Sequence, residues 1–203
     1  MGVKLVSASA GSVEIVAPTT ASNFTATMPA GTGNVVVNGI NSSIVSGTSQ
    51  ASTSGTSIDF TSIPSWVKRI TVMFSAVSTN STGTFQIQLG TTSSIEITGY
   101  TGAAGVMINA ASSSVGNLST GFGIYNGGAA YNIYGNAIIT LLDPATNLWC
   151  YSFSGANGNT GNVLTSGGTK ALASTLTRIK IIASATGSAS DTFDLGSINI
   201  LYE

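Results

Sequence analysis

Residues 121–136 read GFGIYNGGAAYNIYGN, in which Tyr125, Tyr131 and Tyr134 alternate with Asn126, Asn132 and Asn136 on a glycine-rich frame. Flat rings beside amides are what a sugar face requires, a stacking platform flanked by donors and acceptors. In the competing reading the same tyrosines pack at a strand edge or subunit seam with their hydroxyls wet. That is the more general use of an amphipathic ring and carries the greater weight.

Other chemistry is scarce. The chain has no histidine, which removes Ser-His-Asp and Cys-His nucleophile systems and most zinc sites. Cys150 stands alone between Trp149 and Tyr151, with no cation next to it. The expectation is a buried, inert thiol. GTGNVVV and GFGIYNGG open no helix, so neither is a dinucleotide fingerprint, and no Walker loop occurs. Glycoside cleavage needs two carboxyls about 5–10 Å apart. The candidates Asp59, Glu96, Asp143, Asp191 and Asp194 each have a plainer explanation. Asp143 precedes Pro144 in a turn, Glu96 is the polar member of an alternating run, and Asp191 and Asp194 flank a strand start. The last two stand three apart with no third acid nearby, a poor calcium set. No catalytic residue, metal or cofactor is expected.

Composition narrows the class further. Of 203 residues, 42% are hydrophobic and 6% charged, with a net charge of −1. Ordinary globular domains are about 25% charged. Ser, Thr, Asn and Gly supply the polarity, and burying them against another subunit costs far less than burying charge. The basic residues never exceed adjacent pairs such as Lys68 and Arg69, so nucleic acid is not an expected partner. The longest apolar runs, such as AIITLL at 137–142, fall far short of the ~20 residues that span a bilayer, so no membrane insertion is expected. MGVKLVSASA has no apolar signal core. With a single cysteine, this leads us to expect synthesis in a reducing cytoplasm. Four Asn-x-Ser/Thr sequons begin at Asn23, Asn41, Asn80 and Asn117, as chance provides in a chain so rich in Ser and Thr.

The elements that would hold these residues are strands. In RITVMFSAV, Ile70, Val72, Phe74 and Ala76 share a face; in TFQIQLG, Phe85, Ile87 and Leu89 oppose Thr84, Gln86 and Gln88. SIEIT sets Ile95 and Ile97 against Glu96, and RIKIIASA sets Ile179, Ile181 and Ala183 against Arg178 and Lys180. Period two is the mark of half-buried strands. AIITLL and LWCYSF (148–153) are apolar on both faces, as central strands or strands meeting another subunit would be. GTKALASTL admits a helical turn or a strand. In FDLGSINILYE the phase slips by one residue at Gly196, which predicts a β-bulge. About ten short strands with regular turns predict an all-β fold, an antiparallel β-sandwich of jelly-roll type over 58–203. Residues 41–57, NSSIVSGTSQASTSGTS, read as a flexible linker. Residues 1–40 read as an extended arm with short β-like runs, too apolar to stay disordered and too small for a core of its own.

GSVEIVAPTTASNFTATMPAGTGNVVV (11–37) resembles a segment frequent in bacteriophage tail-fibre and related virion proteins, where it precedes a fibre domain. SIDFTSIPSWVKRITVMFSAVSTNSTGTFQIQLG (57–90) is similar to the start of a β-rich domain of phage structural proteins, and INILYE to its last strand. The resemblance implies a homotrimer located in the virion, with the arm at the particle and the β-domain outward. Attachment would run through the arm's apolar positions Val13, Ile15, Phe24, Met28, Val35 and Val37, onto a tail, baseplate or major capsid protein. A tail fibre or spike touching a host saccharide is the leading expectation. A head fibre or capsid decoration protein is the alternative, and a polysaccharide depolymerase the third.

Overall fold

The computed structural model describes residues 3–6, 12–15, 44–108, 111–116, 118–129, 131–185, 188 and 190–203. The chain divides into two compact units, Met1–Val36 and Val37–Glu203. In the first, β1 (Val3–Val6) pairs antiparallel with β2 (Ser12–Ile15), Val3 opposite Ile15. Val13 and Ile15 therefore lie on a strand, whereas Phe24, Met28, Val35 and Val37 lie outside the described residues.

The second unit is an all-β sandwich. Its strands are β3 (Val45–Ser46), β4 (Gln50–Ala51), β5 (Ser57–Phe60), β6 (Arg69–Thr79), β7 (Phe85–Gly90) and β8 (Tyr100–Ile108). There follow β9 (Ala111–Val115), β10 (Phe122–Ile124), β11 (Ile133–Asp143), β12 (Leu148–Asn157), β13 (Val163–Ala171), β14 (Arg178–Ile182) and β15 (Phe193–Tyr202). One sheet runs β10-β7-β14-β5; the other runs β3-β15-β6-β11-β12-β13-β8-β9, with β4 also on β15. All the pairings are antiparallel. The alternation read from sequence faces the core where expected: Ile70, Val72 and Phe74, Phe85, Ile87 and Leu89, and Ile179, Ile181 and Ala183 are buried. Aromatic rings join the two layers. Phe122 of β10 stacks on Tyr151 of β12 at 4.5 Å, Tyr100 of β8 meets Phe122 edge-on at 5.0 Å, and Phe85 of β7 meets Phe193 of β15 at 5.9 Å.

Several expectations change, each for a non-local reason. Residues 41–57 are not a free linker from residue 44 onward. β3 and β4 pair with β15, and fully buried Ser52 donates its amide to Gly196 O and its hydroxyl to Leu195 O. Gln86 and Gln88 are buried rather than outward-facing, because residues 118–121 fold over β7: Gln88 donates to Thr120 O, and the Thr120 hydroxyl donates to Gln86 Oε1. SIEIT forms a loop with an isolated bridge between Gly90 and Ile95, and Ile97 is exposed. In GTKALASTL the first four residues finish β13 at Ala171, and the other five form the turn that follows it. Cys150 is exposed, because Trp149, Tyr151 and Phe153 hold the inward phase of β12 and leave the thiol facing out.

The C-terminal phase slip is a bulge. Register shifts at Leu195 and again before Ser197, with Gly196 at φ +93° opposite Ala76 at φ +54°. A Cβ on Gly196 would sit 2.4 Å from Ala76 O. Gly196→Ala therefore combines a left-handed backbone with a backbone clash. It should lower unfolding free energy by roughly 1–3 kcal/mol in a denaturant melt, whereas Gly161→Ala, in open space at φ +70°, should cost less.

Candidate functional site

The Tyr/Asn loop joins β10 to β11 at one end of the sandwich. Chain polarity defines that end. Thr140 of β11 lies level with Arg69, and Ile133 level with Val77, so the loop sits roughly 23 Å along the strands from Arg69. Residue 44 enters beside the Arg69 end, since Val45 pairs with Tyr202 and Tyr202 with Ile70.

The loop does not present its six residues as one platform. Tyr125 and Tyr131 are half-buried against the core. Their rings lie over Gly127 and Gly128, where a Cβ would fall 2.9 Å from Tyr125 Cε1 and 2.8 Å from Tyr131 Cζ. The glycine frame thus lets the rings fold back. Asn126 is only 3% exposed, and its Nδ2 donates to Thr79 Oγ1 at 3.2 Å and Ser81 O at 3.0 Å. It ties the β6–β7 loop to this one and is removed from any ligand-facing surface. On the outside are Tyr134, 45% exposed beside Gly158, the half-buried Asn132, and the exposed Asn136. Asn159 joins them, its Oδ1 accepting the Asn132 amide at 2.7 Å. What remains for a saccharide is one ring with three amides.

The opposite end holds a feature that the strand pattern gave no reason to single out. Trp66 is half exposed, its ring 5.9 Å from Tyr202. With Lys68, Arg69, Thr140, Leu141 and Glu203 it lines an open cavity of about 510 Å³. Arg69 is held there by Glu203. The signal available in sequence was a tryptophan in an irregular segment next to the basic pair.

Three of the five candidate carboxylates, Glu96, Asp143 and Asp194, are engaged within the fold. Glu96 Oε2 meets the buried Lys170 Nζ at 2.6 Å, and its Oε1 accepts the Ala173 amide. Lys170 also lies 5.4 Å from the Tyr100 ring centre, and the Tyr100 hydroxyl accepts from Leu89 N and donates to Glu96 O. This network fastens the loop after β7 to the end of β13. Asp143 closes its own turn: the Thr146 hydroxyl and the Ala145 amide hold its carboxyl below the usual range. Asp194 accepts from the Ser78 hydroxyl. Among the described residues no three His, Cys, Asp or Glu side chains converge as a metal site. Among the described residues no helix is long and apolar enough to cross a membrane. Neither a protein-family model nor a curated protein nor a solved structure matches the chain.

The packed Tyr131 and the exposed Tyr134 make a controlled pair. Tyr131→Ala should lower stability by roughly 2–3 kcal/mol in urea unfolding, as truncation of a packed ring does, while Tyr134→Ala should shift the midpoint little.

Burial raises the hydroxyl pKa of both Tyr100 and Tyr151 well above the usual tyrosine value. The neutral form is then the one the fold favours. Their contribution to stability is complete below about pH 10 and is lost as pH climbs through the raised values. In an absorbance titration of the six tyrosines, Tyr100 and Tyr151 should ionise last, together with unfolding.

Proposed function

We propose that this chain is a structural component of a bacteriophage virion, a homotrimeric tail fibre or spike made in the host bacterial cytoplasm. Its N-terminal unit fastens to another virion protein, and its sandwich faces the host surface. The observation that carries the reading is the polarity of the second unit. The chain enters beside Tyr202, and the exposed Tyr134 and Asn159, with the half-buried Asn132, lie at the far end of the same sheet. A separate N-terminal unit and a charge-poor composition support it. So does the strand order. Number β5 to β11 and then β14 from one to eight, leaving out the β12–β13 hairpin and the flanking β15. The small sheet then reads 1-8-3-6 and the large one 2-7-4-5, with the hairpin inserted between 7 and 4, which is compatible with a jelly roll.

A second reading is favoured by one observation. Tyr125, Tyr131 and Asn126 turn inward, which removes half of the proposed sugar platform and raises the weight of a head fibre or capsid decoration protein docked on the major capsid protein. The depolymerase reading draws no support from Glu96, Asp143 and Asp194, which serve the fold.

Immunogold labelling of intact virions tests the proposal: the fibre reading expects label at the tail, the decoration reading label across the shell, and absence from particles ends both. A chain lacking residues 1–36 should keep its β-signature by circular dichroism and fail to join the particle. One shortened to begin at Ser57 should also be destabilised, because β15 then loses β3 and β4.

A further inference from the structure

The outward face of the large sheet is broad and nearly free of charge. Ile138 stands at its centre, level with Thr71 on one side and with Ser152, Gly167 and Ala103 on the other. Cys150, the chain's only thiol, is exposed one row away, opposite Thr140. From the row of Thr140 to the row of Tyr134, the outward positions of β6, β11, β12, β13 and β8 carry no charge except Arg69 at the corner, and Glu203 neutralises that one. Ile138 is 42% exposed and Met107 and Val163, in the last row, are similarly open.

We infer that a second copy of this chain seats on this face. The inference rests on the self-association contained in the reading above and specifies where it occurs. Three observations select a copy of the same chain. The area is right: five strands about 4.8 Å apart and four rows about 6.8 Å apart cover roughly 650 Å² before the β15 margin is added. A stable interface buries ~800 Å² per partner. The electrostatics are right for a copy of so charge-poor a chain: the face has nothing to steer a charged partner, and with only 6% charged residues a copy can present to it, in the unlike-patch contact of a trimer, a surface equally free of charge. The relief is right as well, because Gly167, Ala103 and Ser152 leave the middle of the sheet flat enough for another layer to approach to about 10 Å. Met107, Ile138 and Val163 then leave water, and the thiol is covered with them.

Cys150 is a built-in reporter. The native full-length protein and its Ser152→Arg variant are sized by light scattering and labelled with a thiol-specific maleimide under non-denaturing conditions. Ser93→Arg, on an exposed loop away from the face, serves as control, and circular dichroism checks that all three are folded. The native protein and Ser93→Arg should be oligomeric at micromolar concentration, and their Cys150 should label at least about tenfold more slowly than in Ser152→Arg, which should be a folded monomer. An oligomer whose Cys150 labels as fast as in the variant overturns the inference while leaving self-association standing. So does a Ser152→Arg protein that remains oligomeric. A native monomer overturns both the inference and the homotrimer, independently of where the label falls on virions. If Ser152→Arg fails to fold, the native labelling rate against that of urea-unfolded native protein decides, slow labelling supporting the interface and equal rates rejecting it.

Discussion

The stacking of Phe122 on Tyr151 is the contact on which the sandwich turns. The rings are 4.5 Å apart and nearly parallel, and the Tyr151 hydroxyl donates to Gly123 O in the facing sheet. One side chain thus supplies both apolar area and a directed bond across the two layers. β10 is only three residues long, and this contact fixes its position at the edge of the small sheet. That in turn sets where the Tyr/Asn loop begins, because the loop leaves β10 at Tyr125. Two of the loop's three tyrosines, Tyr125 and Tyr131, pack against the same core.

A chain with so few charges has to secure its loops by other means. Here most are held by hydroxyls and amides acting on backbone groups: Asn126 on the β6–β7 loop, Gln88 on residue 120, Ser52 on the bulge. A charged anchor is the pair of buried Lys170 and half-buried Glu96 beside the Tyr100 ring. Breaking such a pair strands a charge, so its geometry is demanding. Two stretches of chain, 89–100 and 170–173, meet there, and Glu96 in the loop at residues 91–99 is anchored from both.

Alternation made the strands legible. Ile70, Val72 and Phe74, or Ile179 and Ile181, state their phase without help from anything distant. Gly196 showed its bulge because a phase slip at a glycine has few other solutions. What stayed hidden depends on partners far away in sequence. SIEIT alternates as well as any strand, yet Glu96 is claimed by Lys170 and the run becomes a loop. Gln86 and Gln88 look solvent-facing until residues 118–121 cover them. The tyrosines were visible as a group but not as individuals. Tyr134 falls on the outward phase of β11, while Tyr131 precedes the strand and folds onto glycine. Cys150 was misread for the converse reason: its neighbours are so apolar that the thiol was placed with them, although only alternate residues of a strand can face inward.

The seating of β3 and β4 on β15 bears on mechanical load. Residue 44 enters beside Tyr202 and the chain runs antiparallel to β15 as far as the bulge, bonded through Gly47 N to Ile200 O and Ser52 N to Gly196 O. Antiparallel ladder bonds lie across the strands. Tension applied at residue 44 along that axis shears these bonds together instead of peeling them one by one. The buried Ser52 lies at the far end of the ladder, as a catch that resists slippage after the outer bonds have strained.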